Sequence, residues 1–240
     1  AVADRRGAFG QPDDRARLVP ASVKDAMTPE LTRRSLLASA ASLGVAGFLA
    51  LVVPARLTRA WAQETPSAEQ AAAFVGQTGA RLVAIVNGPG SLAQKRAALQ
   101  AEISAAVDVN GVGRFVLGRF WRVATPAQRQ EYLHLFHSVL MNSITGRLGE
   151  YQGVRFSVGR ATPTAGGVQV ATVVTRPNNP PANVIWVIGD VGGGPKIIDV
   201  VAEGTSLRLT QRDDYASYLT RNNDSVQALI DALKRQVGQG

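Results

Sequence analysis

The sequence predicts an α+β domain, with a first half of helices, a twisted antiparallel sheet of about four strands, and a return to helix at the end. Three observations carry this reading. Apolar residues recur at helical spacing from about Ser67 to Leu148, broken by glycine and proline. Between residues 154 and 203 the period switches to two, in short runs separated by turn residues. From about Gln211 the helical period returns.

The elements follow in order. Ser67 can cap a helix running to about Val86, and "NGPG" (87–90) ends it. Ser91 opens a second helix through about Ala105. Asp108 or Asn110 opens a third, "GVGRFVLGRFW". "TPAQ" (125–128) is the strongest start signal in the chain. Thr125 caps, Pro126 suits the first turn, and Gln128 completes a capping box for a fourth helix reaching about Leu148. The runs 154–160, 167–176, 183–190 and 196–203 read as strands, and their short connections favour antiparallel neighbours. Helices over about Gln211–Arg221 and from an Asp224 cap to about Gln236 close the chain.

The N-terminal third reads differently. Arg33 and Arg34 stand before an uncharged apolar run from Leu36 to Val53; Pro54 stops it, and Ala60 and Ala62 follow at small-x-small spacing. That is the order of an export signal, and Thr-Arg-Arg-Ser-Leu-Leu fits the twin-arginine type better than the general secretory one. The competing reading is an uncleaved tether through residues 36–53, since 18 apolar residues are at the lower end of what spans a bilayer. Residues 1–26 are charged and lack an apolar period, so Met27 is the expected true start. The division expected is therefore 1–62, extension plus signal, and 63–240, a single ligand-binding domain.

Composition narrows the function. Residues 63–240 hold 17 basic and 13 acidic residues, a mild positive excess that favours anionic partners such as membrane surfaces only weakly. No basic run with interleaved aromatics argues for nucleic acid. With no cysteine in the chain, thiolate chemistry, cysteine-ligated metals and disulfides are excluded. "GRFVLGR" (113–119) lacks the Lys-Ser/Thr of a phosphate loop, and "GGGP" (192–195) lies between strands as a turn. Glu131, His134 and His137 share helical spacing but fall on or beside a polar arc, which favours a solvated face over a metal site. Arg114, Arg119 and Arg122 cluster on the third helix; solvated charges are the commoner case, with a lipid phosphate or an acidic partner as the alternative. No catalytic constellation and no cofactor or metal site emerges.

The apolar inventory is the unusual part. On the fourth helix, the apolar residues from Tyr132 to Leu148 cover roughly 220° of arc, about twice what a surface helix needs. This helix is buried on two sides, or packs on one and lines a cavity on the other. "VIWVI" (184–188) is apolar on both faces, so each side must be covered.

"FVLGRFWRVATPAQRQEYLHLF" (115–136), "IIDVVAEGTSL" (197–207) and "TQRDDYASYLTRN" (210–222) resemble the MlaC family of periplasmic phospholipid-binding proteins, also called toluene-tolerance proteins or ABC-transporter auxiliary components. The hopanoid-associated HpnM branch is similar. The resemblance spans essentially all of residues 63–240 as a pattern, with no chemically diagnostic motif. It implies an NTF2- or cystatin-like fold, a twisted antiparallel sheet wrapped by helices around an apolar pocket. It further implies a monomeric carrier, with phospholipid as cargo, between an outer-membrane lipoprotein complex and an inner-membrane ABC transporter with MCE domains. In the family pattern the Trp186 strand often carries polar residues where this chain has Ile185 and Val187.

The residues expected to line the pocket are Tyr132, Phe136, Leu140 and Ile144 of the fourth helix and Val184, Trp186 and Ile188 of the third strand, with Phe115 and Val170 added. A second reading is an enzyme in an NTF2-like pocket acting on an isoprenoid or hopanoid. It would need a carboxylate or histidine inside the cavity, for which Asp199 is the one candidate nominated.

Overall fold

The computed structural model describes residues 65–238. The export-signal and tether readings at 32–63 fall entirely outside the described residues. Five helices come first: α1 (Ala68–Asn87), α2 (Leu92–Ala106), α3 (Val109–Leu117), α4 (Phe120–Val123) and α5 (Pro126–Thr145). The expected caps form. Ser67, Ser91 and Thr125 each accept from the backbone of a glutamine three residues on, and each glutamine side chain returns the bond. A cap of this kind is worth about 1 kcal/mol.

The single third helix expected over 111–121 is two helices. Gly118, at φ 58°, ends α3 in a left-handed conformation, and the chain restarts as α4. Only glycine takes this backbone without strain. A Cβ there would also lie 3.1–3.3 Å from the Arg212 guanidinium. Helix α5 stops at Thr145, short of Leu148, which begins a 3-10 turn (Leu148–Tyr151) and is buried there.

The sheet is an antiparallel meander ordered β1 (Arg155–Thr164), β2 (Gly167–Thr175), β3 (Ala182–Asp190), β4 (Pro195–Ala202) and β5 (Thr205–Ser206). The fourth strand therefore ends one residue early. Glu203 and Gly204, both at positive φ, turn the chain back into the two-residue β5, which the sequence reading missed. Helix α6 (Leu207–Arg221) starts four residues before the expected Gln211. Its cap is Ser206, whose hydroxyl accepts from Leu209 N, but Leu207 and Leu209 are both about half exposed and hide the helical period. Helix α7 (Val226–Val237) is capped by Ser225 rather than Asp224, which sits at φ 56° in the preceding turn.

Three apolar clusters hold these elements. The largest is all-helical, drawn from α3 to α7 around Tyr132, Leu219, Leu229, Ile230 and Leu233. The second lies between α1, through Ala71 and Val75, and one sheet face, through Val168, Val170 and Ile188. The third joins α1, α2 and α5 through Val86, Leu99, Ile103 and Met141, with Leu148 and Val154 beyond them. The wide apolar arc of α5 is thereby explained: Tyr132, Leu135 and Phe136 enter the first cluster, Met141 enters the third, and Leu140 touches both.

Strand β3 has the same double character. Trp186 and Ile188 face the second cluster. On the opposite face Val187 is buried and Ile185 half-buried, beside Val173 of β2 at 37 % exposure.

Candidate functional site

The nine expected lining residues are distributed over the clusters rather than gathered on one chamber wall. Tyr132 and Phe136 are buried in the helical cluster, with Phe115 half-buried against it. Val170 and Ile188 are fully buried under α1, and Trp186 packs beside them. Val184 is half-buried on the same sheet face, paired with Thr172. Leu140 bridges the first and third clusters, whereas Ile144, at 40 % exposure, is on the surface.

Two of these residues carry polar tips, and both tips are satisfied inside the fold. Tyr132 Oη donates to Gly113 O at 3.0 Å, and its ring meets Tyr215 edge-on at 6.4 Å. Burial pushes both phenols well above their usual range, with Tyr215 adding to the shift at Tyr132 and Asp214 to that at Tyr215. Trp186 Nε1 donates to Thr172 Oγ1 at 2.9 Å, and that hydroxyl donates to Val184 O at 2.9 Å. The indole also meets Phe156 edge-on at 6.4 Å.

An open cleft of about 580 Å³ lies where α2, α3, α5 and the β3–β4 turn converge. That volume is within the range of ligand sites. Val107, Val109 and Leu133 give it apolar surface, and polar lining comes from Ser104, Asp108, Asn110, Gln130, His134, His137 and Lys196, with Val191 completing it. Val107 is the key residue, because it packs against all three apolar clusters. The cleft thus opens over the seam where the three cores meet.

Local structure fixes the seam. Val107 forms a lone parallel bridge with Ile197 of β4, and Asp108 N donates to Ile197 O at 3.0 Å. Asp108 then caps α3, its carboxylate accepting from Gly111 N at 2.9 Å. Lys196 Nζ donates to Ala105 O near the end of α2, and His137 Nε2 lies 3.0 Å from Ser104 Oγ. The cleft therefore holds one cation, one carboxylate already used as a cap, and two imidazoles.

None of the nine expected residues lines this cleft. A signal for part of it was present: Gln130, Leu133, His134 and His137 stand at i, i+3, i+4 and i+7, one stripe of α5 at the edge of its apolar arc. Read alone, the stripe looks like a solvated face.

The carboxylate nominated for an enzymatic reading is engaged elsewhere. Asp199 is buried and accepts from Ser206 Oγ at 2.6 Å, Arg208 N at 3.2 Å and Val200 N at 2.8 Å, with Arg208 Nε at 3.3 Å. It pins α6 to β4 and lies outside the lining of the cleft. Glu131 pairs with Lys234 at 2.6 Å, and among the described residues no group of three or more metal-ligating side chains assembles.

Comparison with known proteins agrees with this architecture. A toluene tolerance protein, ttg2D, from Pseudomonas putida is 26 % identical over 144 residues, covering 59 % of this chain and 67 % of that protein. The solved phospholipid-binding protein from Ralstonia solanacearum, determined in complex with a phospholipid, superposes with a TM-score of 0.62 at 23 % identity, over 71 % of this chain and 98 % of the other. The family model described as MlaC protein matches residues 59–235, so this α+β chain, with its three apolar cores meeting under one cleft, belongs to the MlaC family.

Proposed function

We propose that residues 63–240 form a periplasmic carrier that shelters the acyl chains of a phospholipid between its apolar clusters. The observation that carries this reading is the seam at Val107, where three separate cores meet beneath an open cleft. Burying an acyl methylene is worth about 0.8 kcal/mol, so a chain of about sixteen carbons left in water would cost on the order of 10 kcal/mol. A carrier must therefore part apolar surfaces around the tails and need do little for the head group. Eight of the nine residues named from the sequence sit within or beside the clusters that the tails would separate, with Tyr132, Phe136 and Phe115 on the helical side, Val170, Val184, Trp186 and Ile188 on the sheet side, and Leu140 at the junction. Ile144 is on the surface.

The polar groups around the cleft suit a head group held near solvent. The phospholipid-bound relative supports phospholipid as the cargo, and family membership supports exchange with an inner-membrane ABC transporter carrying MCE domains and an outer-membrane lipoprotein complex. Export by the signal in residues 32–62 would place the protein between them. Its contribution to outer-membrane lipid asymmetry follows from that position.

The test is direct. The protein is purified without detergent, extracted with organic solvent and analysed by mass spectrometry. A stoichiometric phospholipid is expected; repeated absence of any long-chain lipid overturns the reading.

A further inference from the structure

From Val109 to Glu131 the chain holds four arginines and no acid before Glu131 itself. The fold concentrates them. Arg114 and Arg129 stand on the Trp121 ring, with their guanidinium carbons 5.6 and 5.3 Å from its centroid. Arg129 also donates to Trp121 O at 2.8 Å and Arg122 O at 3.3 Å, which ties the end of α4 to α5. Arg119 lies over Phe120 at 4.7 Å, and Arg208 and Arg212 of α6 both lie over Phe115, at 4.4 and 4.9 Å. Among the described residues, the carboxylates that pair with this group are Asp224, with Arg119 at 3.8 Å, and Asp199, with Arg208. Arg114, Arg122, Arg129 and Arg212 pair with no described carboxylate.

At the end of α4, next to Arg122, stands Val123. At 70 % exposure it is the most exposed large apolar side chain among the described residues. An exposed aliphatic tip on the same short helix as the exposed Arg122, with Arg119 exposed at the helix start, has the makeup of an interfacial contact: the apolar group enters the head-group layer while the guanidiniums meet phosphates. An acidic protein surface would satisfy the arginines but give Val123 nothing apolar to enter. We propose that the α4 corner, Arg119–Val123 with Arg114 and Arg129, docks this protein onto bilayers bearing anionic head groups. The claim is separate from the carrier reading, since docking can be lost while extractable lipid remains.

The cysteine-free chain allows a site-specific test. Val123→Cys and, as a remote control, Ala165→Cys at the exposed β1–β2 turn are each labelled with an environment-sensitive fluorophore in the full chain. The labelled proteins are mixed with vesicles of phosphatidylcholine alone or with added phosphatidylglycerol. The label at 123 is expected to brighten and shift to the blue only with the anionic vesicles, and high salt should reverse this. Arg119→Glu together with Arg122→Glu in the labelled background should weaken partitioning by at least about 25-fold, at about fivefold per arginine lost. The N-terminal segment contributes equally to parent and variant. Equal responses at 123 and 165, no preference for anionic vesicles, or no effect of the charge reversals would overturn the proposal. So would a label at 123 that answers only to soluble poly-glutamate, since that outcome assigns the corner to an acidic protein.

Discussion

The helical cluster and the seam are built from similar residues and packed to different ends. In the cluster, Tyr132, Leu219, Leu229, Ile230 and Leu233 are completely shielded, and even the phenol of Tyr132 has its partner. Along the seam, Val107 and Leu140 are only half-buried, and each packs against the edges of more than one core. Side chains that interlock on all sides resist any change of volume. Side chains that meet across the boundary between cores can be parted with less loss. The comparison teaches that this fold divides its apolar residues into a filled half that gives stability and a less shielded junction, which is where the proposed carrier reading puts the cargo.

The largest effect should come from the filled half. Leu229→Ala is expected to cost about 2–5 kcal/mol in urea unfolding, because the pocket it leaves cannot collapse. A cost comparable to that of a surface substitution would break the contrast. The next effect is alkaline. Tyr132 and Tyr215 both have folded pKa values raised by burial, so the stability they confer is intact below about pH 10, the unfolded value. It is lost above that pH, as the unfolded chain ionises first, at about 1.4 kcal/mol per pH unit for each tyrosine. Thermal melts between neutral pH and pH 11 measure the slope, and a flat profile would contradict the shielding of both rings.

Leu140→Ala probes the junction. Its stability cost should be about 1–2 kcal/mol, below that of Leu229→Ala, while the lipid recovered per protein falls measurably. Lipid content unchanged from the parent would remove Leu140 from the path of the cargo. Smallest is Thr125→Ala, which removes the α5 cap for about 1 kcal/mol and should leave lipid content as it was.

Much of the fold was legible because local signals and tertiary needs agree. Ser67, Ser91 and Thr125 cap as their spacing with glutamine predicts, and the strands follow their alternation. The misreadings fall where a long-range partner decides. Gly118 splits a helix at a left-handed backbone position, with Arg212 of α6 packed where a side chain would stand. Helix α6 starts at Leu207 because Ser206 caps it while also bonding Asp199 seven residues back. The cleft was the least legible feature. Its walls come from α2, α3, α5 and the β3–β4 turn, so Val107, His137 and Lys196 become neighbours only through topology. The two-sided burial of α5 and β3 was readable from their patterns, whereas the division of that apolar surface into three cores was not.

One backbone contact beside the cleft offers a way to time the molecule. The amide of Asp108 is held by Ile197 across the line between the helical layer and the sheet. Its proton can reach heavy water only when that single stitch lets go. The exchange rate of one hydrogen therefore clocks how often the two layers separate, and adding cargo should slow or quicken that clock according to whether the lipid locks the opening shut or wedges it apart.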